Sequence, residues 1–442
     1  MTSTPATTPA TTLDSPDCCA EFARLSPRGP SPTRRGLLRG GLGVGALAAF
    51  TATFGDAVVS AAPALGSSTA APNGNVLVVL SLRGAADGLS LVVPHADPVY
   101  YQARPGIAVA ASTLLAKDGM FGLHPEFAPL LPLWTAGKVA AVHATGLPAP
   151  NRSHFSAMEE VEDAAPGSTV REGWLNRLIG RDEVVGSDGP LRGVAVGDGV
   201  VPTALYGAEP VLAMRDPGSV QLAGADQWDT FGGRRRSIQT LWGGSSAPLG
   251  PSVRDALAAI DDFAPVRTGA SAPANGAVYT SSSLGKALSY ATRIVRGQIG
   301  TSVITVDQGE WDMHSDLGTL SWGAMRGNVK DLATNLAAFF KDLGTLGDKV
   351  TLVALSEFGR RVRENANYGL DHGYGNVMFL AGAGVKGGRY YGSWPGLTNT
   401  ADADLLVTTD YRSVLAEVVS KRFGASTAEV FPGFSPTRIG VL

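Results

Sequence analysis

Cysteine is nearly absent from this chain. Cys18 and Cys19 are the only two, and both lie close to the N-terminus. From residue 20 onwards no thiol is available, so this part of the chain can form neither a disulfide nor a thiolate metal site. Any metal site there must use histidine and carboxylate side chains. Histidine is also scarce, with six residues in the chain, so a histidine that lies beside a carboxylate is informative.

Three further absences narrow the function. The net charge at pH 7 is -3 and the only dense basic patch is Arg234–Arg236, which argues against nucleic-acid binding. Outside the N-terminal region no apolar run is long enough for a membrane span, so none is expected in the mature form. The glycines of residues 382–388 lack a serine or threonine after the lysine, so they predict a tight turn, and we expect no nucleotide cofactor.

The N-terminal region has the pattern of a twin-arginine signal peptide. Arg34 and Arg35 precede an uncharged stretch rich in Gly, Ala and Leu at 40–54, and small residues at 59–64 form a candidate cleavage site. We therefore predict a leader over residues 1–64, the twin-arginine translocase as a partner during export, and a secreted, periplasmic or cell-envelope location. An uncleaved membrane anchor is the alternative.

The remaining residues, 65–442, alternate between apolar runs and amphipathic segments. The runs predict buried strands at 75–82, 139–143, 301–306, 350–355 and 377–380. Apolar residues spaced three and four apart predict helices at 125–135, 283–298 and 325–343. This alternation favours one α/β domain, a layered sandwich around a mostly parallel central sheet. Gly, Pro, Ser and Ala dominate near 194–277, where we expect a loop-rich insertion.

Polar residues collect directly after the predicted strands. In an open α/β sheet the chemistry lies at the carboxyl ends of the strands, so these residues are candidates for a shared site. Any one of them alone is typical of an ordinary turn or cap, whereas several on one sheet edge favour a metal site. Those that follow a predicted strand are Asp87, Asp307, Glu310, Asp312, His314 and Ser356–Arg360, and two more, Asp371 and His372, lie shortly before the run at 377–380.

A further group lies in the segment Pro150–Phe155. Ser153 is expected at a helix N-terminus, where backbone N–H groups favour an anion, and Arg152 offers a guanidinium for phosphate, sulfate or carboxylate. A simple helix N-cap explains Ser153 equally well.

Several blocks of the sequence, in order, resemble those of a bacterial family, domain of unknown function 1501. The resemblance extends from about Asn75 to the C-terminus and implies a twin-arginine leader but no defined activity. The blocks are LRGAADGLSLVVPHADPVYYQARPGIAV, GLHPEFAPLLPLWTAGKVAAVHATGLPAPNRSHF, EWDMHSD, LSEFGRRVREN, LDHGYGNVMFLAGAGVKGGRYYGSWPGL and VTTDYRSVLAEVV.

The family is in turn similar in layout to the alkaline phosphatase and sulfatase superfamily, which implies a three-layer sandwich. On that resemblance Asp87 matches the first metal ligand, Ser153 the nucleophile, and His372 the last histidine. Glu357-Phe358-Gly359 departs from the expected Asp-His-Gly, because Phe358 cannot ligate. The implied metal ligands are Asp87, Asp312, His314, Glu357, Asp371 and His372.

The sequence therefore predicts an exported, metal-dependent hydrolase of a small anionic phosphate or sulfate ester. Ser153 is the expected nucleophile, with Arg152 and Arg360 as clamps for the transferred group, and Zn, Mn, Mg or Ca is the expected divalent metal ion. The alternative is a non-catalytic envelope protein that binds a glycan or an exported partner protein.

Overall fold

The computed structural model describes residues 50–54, 57–61, 74–179, 181, 189–224, 229, 231–245 and 249–442. Arg34 and Arg35 of the predicted leader, together with both cysteines, lie outside the described residues. In the part of the chain that is described, no helix has both the length and the apolar character needed to cross a membrane.

Strands alternate with helices along most of the described chain. The strands are β1 (Phe50–Phe54), β2 (Ala57–Ala61), β3 (Val76–Leu82), β4 (Val92–Val93), β5 (Gly122–Leu123), β6 (Val139–Gly146), β7 (Gly193–Val196), β8 (Val211–Met214), β9 (Val303–Gln308), β10 (Val350–Leu355), β11 (Asn376–Gly382), β12 (Arg389–Tyr391) and β13 (Thr409–Asp410). The α-helices are α1 (Gly88–Leu91), α2 (Pro98–Ala103), α3 (Leu131–Thr135), α4 (His154–Asp163), α5 (Trp174–Ile179), α6 (Gly233–Trp242), α7 (Leu249–Asp262), α8 (Ala264–Thr268), α9 (Ser283–Gly297), α10 (Ala324–Leu343), α11 (Tyr411–Phe423) and α12 (Thr427–Val430). Short 3₁₀ helices cover Pro125–Leu130, Thr203–Leu205, Pro217–Ser219 and Gly344–Lys349.

Most of these strands form one large sheet. Its order is β1-β2-β8-β7-β9-β3-β10-β11-β6-β12, with β13 also paired to β6. Strands β8, β7, β9, β3 and β10 run parallel in its centre, whereas β11 is antiparallel to both β10 and β6. The prediction of a mostly parallel central sheet is confirmed, and the 377–380 run proves to be an antiparallel member of it.

The side chains of the central strands alternate between two hydrophobic cores. In β3, Val76, Val78 and Leu80 belong to one core, and Leu77 and Val79 belong to the other. Helices α9 and α10 cover the first face, while α4, α5 and α11 cover the second. All seven residues of β3 are buried, as expected for a strand covered on both sides. The fold is therefore a three-layer α/β sandwich.

Two strands fall within the residues assigned to the leader. β1 and β2 form an antiparallel hairpin, and β2 pairs antiparallel with β8. Cleavage near residues 59–64 would remove most or all of this hairpin from the edge of the sheet. The position of cleavage stays a prediction.

The region near 194–277 differs from the expected loop-rich insertion. It contributes β7 and β8 to the central sheet, and helices α6, α7 and α8 follow. Each of these two strands is only four residues long, and neighbouring glycine and proline hide so short a pattern. The region is part of the sandwich.

Two histidines outside the predicted ligand set, His124 and His143, are buried. On β6, His143 Nε2 donates to the Val92 carbonyl and its Nδ1 accepts from the Ala144 N–H, both at 3.0 Å. Burial lowers the pKa of His143 to about 4, and burial has the same effect on His124. Both imidazoles are therefore neutral in the folded protein at pH 7.

These two histidines predict an acid-sensitive stability. An unfolded histidine has a pKa near 6.5, so the unfolded state gains protons first as the pH falls. The stabilisation is fully present above about pH 6.5 and is lost towards pH 4, at up to about 1.4 kcal/mol per pH unit for each histidine. Urea unfolding between pH 7 and 5 measures this slope. His143→Gln should reduce this slope, and an unchanged slope in His143→Gln would contradict the assignment.

Candidate metal centre

Loops from four strands meet at one edge of the central sheet. β3, β9, β10 and β6 all point the same way, so their carboxyl ends share that edge. The turn after β3 packs tightly on the loop after β9, because Gly84 has φ +106° and a Cβ there would lie 2.6 Å from the Asp312 backbone nitrogen. Glycine therefore permits the close approach of the two loops.

Three imidazoles and one carboxylate from these loops converge. His372 Nε2 lies 2.9 Å from His154 Nε2 and 2.8 Å from His314 Nε2. Asp312 Oδ1 lies 3.2 Å from His314 Nε2, 3.5 Å from His154 Nε2 and 3.8 Å from His372 Nε2. The donor atoms of His154, Asp312 and His372 are all within 4.8 Å of one another.

The other nitrogen of each imidazole is held by an acceptor. His154 Nδ1 lies 2.8 Å from Glu357 Oε1, and His314 Nδ1 lies 3.2 Å from Asp371 Oδ1. His372 Nδ1 lies 2.8 Å from the backbone carbonyl of Arg152. Carboxylate and carbonyl oxygens only accept, so each Nδ1 carries the proton.

This arrangement leaves the Nε2 lone pairs facing one another. Two neutral imidazoles with protonated Nδ1 atoms cannot form an Nε2 to Nε2 hydrogen bond, so Nε2 atoms at 2.8–2.9 Å need a positive charge between their lone pairs, which otherwise repel. In the metal-free protein a proton on His154 supplies this charge, in agreement with its raised pKa. A cation at their common point removes the repulsion. Imidazoles whose second nitrogen bonds a carboxylate or carbonyl are the usual ligands of a metal ion, so the residues fit a divalent metal.

The charges around the centre also favour a cation. Burial opposes ionisation of Asp312, but hydrogen bonds with His154, His372 and Arg360 outweigh it and hold the pKa of Asp312 well below its usual range. For Glu357 burial is likewise outweighed by the hydrogen bond with His154, so its pKa is lowered. Burial disfavours protonation of His154, yet Asp312 and Glu357 raise its pKa to about 9. The carboxylates stay ionised and attract positive charge to this point.

Arg360 and Phe358 contact the clustered side chains and fix their positions. Arg360 is 2% exposed, and its guanidinium donates to the Ala85, Leu370 and Gly84 carbonyls and to Asp312 Oδ1 at 2.6 Å. It therefore positions Asp312, and the expected role as a clamp on substrate oxygens does not fit this arrangement. The Phe358 ring packs against the rings of His154 and His372, with centroids 4.9 and 5.1 Å apart, so it orients two imidazoles of the cluster.

Asp87 does not join the ligand cluster. Its carboxylate caps α1 and accepts two hydrogen bonds from Arg104, including Arg104 Nη2 to Asp87 Oδ1 at 3.0 Å. Both side chains are fully buried. A carboxylate bound by a buried guanidinium in this way is a structural anchor, so the structure gives Asp87 a different role from the implied one.

The remaining predicted residues lie around the cluster. Ser153 is the N-cap of α4, where its side chain accepts from the Ser156 N–H, and it directly precedes the ligand His154. The Arg152 guanidinium pairs with Asp404. Glu357 and Asp371 contact the imidazoles of His154 and His314 and serve as their acceptors.

Sequence reasoning missed His154 as a member of this cluster. It lies in the segment that drew attention to Ser153, but no carboxylate stands beside it in the sequence. Its partner Glu357 is 203 positions away. The two side chains meet only in the folded protein, where His154 begins α4 beside the loop that carries Glu357.

A match to a family model shows which family the chain belongs to. The model described as protein of unknown function (DUF1501) matches residues 120–427. The chain belongs to the DUF1501 family. The segments that supply the four converging side chains lie inside the matched range, so the centre is part of the DUF1501 domain.

Solved structures with a related arrangement of elements include three bacterial proteins. The zinc-bound C-terminal periplasmic domain of EcEptC from Escherichia coli is 11% identical, with 88% of this chain and 92% of that chain covered and a TM-score of 0.34. The phosphonate monoester hydrolase of Agrobacterium radiobacter is 11% identical, with 82% and 78% covered and a TM-score of 0.33. The lipoteichoic acid synthase LtaP from Listeria monocytogenes is 9% identical, with 72% and 68% covered and a TM-score of 0.29. No curated protein sequence matches the chain significantly.

Replacement of Glu357 is expected to weaken metal binding. Glu357→Gln keeps the size of the side chain but removes the charge that holds the His154 imidazole, and loss of such a partner typically costs about 10–100-fold in affinity. Competition with a chelating dye measures the dissociation constant of Zn²⁺. Glu310→Gln removes an exposed carboxylate from the loop after β9 and should change the constant little. Equal affinities in the Glu357 variant and the wild type would show that this carboxylate does not support a ligand.

Proposed function

We propose that this DUF1501 protein is a metal-dependent hydrolase of phosphate or sulfate esters. The observation that carries the proposal is the set of three Nε2 atoms and one carboxylate oxygen, with every Nδ1 held by its own acceptor. Three nitrogens and one oxygen suit Zn²⁺, Mn²⁺ or Fe²⁺ better than Mg²⁺ or Ca²⁺. His154, Asp312 and His372 would hold the ion, with His314 as a further donor.

A bound divalent ion supplies Lewis-acid chemistry, because it withdraws electrons from the ester group and stabilises negative charge as the bond breaks. The ligand side chains are 15–33% exposed, so an ester can reach the centre from solvent. Ser153 stands next to His154 at the start of α4, and we assign it the role of nucleophile. Its oxygen would bond to phosphorus or sulfur as the ester oxygen leaves with a proton, and water would then release the serine.

A surplus of positive charge beside the centre favours an anionic substrate. Arg152 and Arg361 share the single carboxylate of Asp404, with Arg361 Nη1 at 3.1 Å from Asp404 Oδ1. The Arg152 side chain is 39% exposed, and its own carbonyl holds His372. A guanidinium that shares its carboxylate partner with a second arginine therefore lies next to His372, where it can bind the oxygens of a phosphate or sulfate group.

The test combines metal content with turnover. Metal-loaded protein should hydrolyse p-nitrophenyl phosphate or p-nitrophenyl sulfate, lose this activity with EDTA and regain it with Zn²⁺ or Mn²⁺. Arg152→Gln should lower kcat/KM by at least about tenfold, since a charge-assisted contact to the anion is lost, while the metal content stays unchanged. Arg363→Gln, an exposed change nearby, is the matched control.

A non-catalytic envelope protein is the second candidate. It is favoured by the roles of Asp87 and Arg360, because the buried contacts of both side chains keep them from binding an ion or a substrate. Among the described residues, one group of donors for a single metal ion then remains. Stoichiometric metal with no hydrolysis of either ester would support it.

In both cases we propose delivery by twin-arginine export, which predicts that an Arg34→Lys and Arg35→Lys double variant stays in the cytoplasm.

A further inference from the structure

Two aromatic side chains are exposed beside the metal centre. Trp322 and Tyr368 are 42% and 51% exposed, and their rings meet edge to face with centroids 5.6 Å apart. Trp322 follows Asp312 and His314 on the loop after β9, and Tyr368 precedes His372 on the loop after β10. The pair therefore lies on the two loops that supply three of the four converging donors.

The two loops are bound to each other around His314. Asn365 Nδ2 donates to the His314 carbonyl at 2.8 Å, and the Asp316 N–H donates to the Asn367 carbonyl at 3.0 Å. Gly369 packs so closely that a Cβ there would lie 2.2 Å from the His314 carbonyl carbon. The aromatic pair is thus held at a fixed place relative to a metal donor.

The backbone at Tyr368 supports a functional role. Its φ is +53°, in the left-handed region that aromatic residues rarely adopt. Such strain persists where surrounding contacts impose it, and it is common at ligand-binding sites.

The groups around the rings decide which ligand fits. Residues 309–323 and 364–371 contain hydroxyl, amide and carboxylate side chains but no lysine or arginine. The Thr319 and Ser321 hydroxyls, 3.0 Å apart, and the exposed Asn367 amide lie in these segments. A sugar ring matches the surface, because its C–H face is apolar and its hydroxyl edge forms hydrogen bonds with amides, hydroxyls and carboxylates.

We propose that Trp322 and Tyr368 bind a sugar ring and so place an ester carried by that carbohydrate at the metal centre. This rests on the proposed hydrolase function, for which it names the alcohol part of the ester. Rigid, amphipathic tryptophan and tyrosine side chains supply large contact areas at low entropic cost.

The test measures sugar binding separately from hydrolysis. Full-length, metal-loaded protein is titrated with cellohexaose, maltohexaose and agarohexaose by calorimetry. At least one hexasaccharide should bind, and Trp322→Ala with Tyr368→Ala should weaken that binding by at least about tenfold with unchanged metal content. Phe231→Ala, which removes an aromatic ring that is 81% exposed on another part of the chain, should leave binding unchanged.

The outcomes separate the two proposals. No binding of any hexasaccharide to the wild type, or equal binding to the double variant, would overturn the sugar site. Binding of p-nitrophenol in place of sugars, lost in the double variant, would also overturn it and indicate an aryl site. Sugar binding that depends on both rings without any ester hydrolysis would uphold the sugar site and reject the hydrolase. If no sugar binds, and phosphate- or sulfate-ester hydrolysis is equally fast in the wild type and the double variant, the hydrolase is upheld and the sugar site is rejected.

Discussion

Replacing His154 and His372 together with alanine is expected to abolish stoichiometric binding of a divalent metal. The change removes two of the three donors that lie within 4.8 Å of one another. A ligand present at 1,000 times its dissociation constant stabilises the folded state by about 4 kcal/mol. The wild type should therefore lose roughly 5–10 °C in Tm on treatment with EDTA, and the double variant should show no such loss.

The control for this prediction is His95→Ala, a histidine change outside the cluster. It should retain the full metal content by elemental analysis. Circular dichroism establishes that the double variant is folded, and its Tm should match that of the wild type in EDTA. Full metal content in the folded double variant would reject the proposed ligands.

Breaking the pair between Asp87 and Arg104 is expected to destabilise the fold strongly without removing the metal. Both side chains are fully buried, and Arg104 Nε also donates to the Val362 carbonyl at 2.8 Å. Removing one partner leaves an uncompensated buried charge, which costs about 3–5 kcal/mol. Asp87→Asn and Arg104→Met should each lower the free energy of urea unfolding by about this amount, with metal content unchanged.

The double variant with Asp87→Asn and Arg104→Met provides the control. Because neither buried charge remains, its loss of stability should be clearly smaller than the sum of the two single losses. Loss of metal from Asp87→Asn at unchanged stability would instead restore the ligand role that the family resemblance implied.

The sheet could be predicted where the apolar runs are long. The run at 350–355 matches β10, and the segment at 283–298 matches α9 to within one residue. The four-residue strands β7 and β8 could not be predicted, since a run of that length among glycines and prolines has no clear periodicity. The antiparallel direction of β11 was also hidden, because a strand covered on both faces reads the same in either direction.

The site was predicted in part. Asp312 and His314 follow an apolar run, His372 lies shortly before one, and the structure brings their side chains together. Asp87 follows β3 in the same way, yet its side chain turns to Arg104. Residue type and position after a strand could not distinguish these outcomes, because the side-chain direction depends on partners that are distant in sequence.

The sequence by itself determined the donor chemistry, the α/β class and the edge of the sheet where polar residues collect. Without cysteine after residue 19, histidine and carboxylate were the only strong ligands available, and strand periodicity is a local property that the chain encodes directly. Only the tertiary structure decided which donors meet. His154 and Glu357 are 203 positions apart, and the pairing of each Nδ1 with its acceptor depends on contacts between separate loops. Those contacts fix the lone pairs that face a common point, and no local pattern of residues records them.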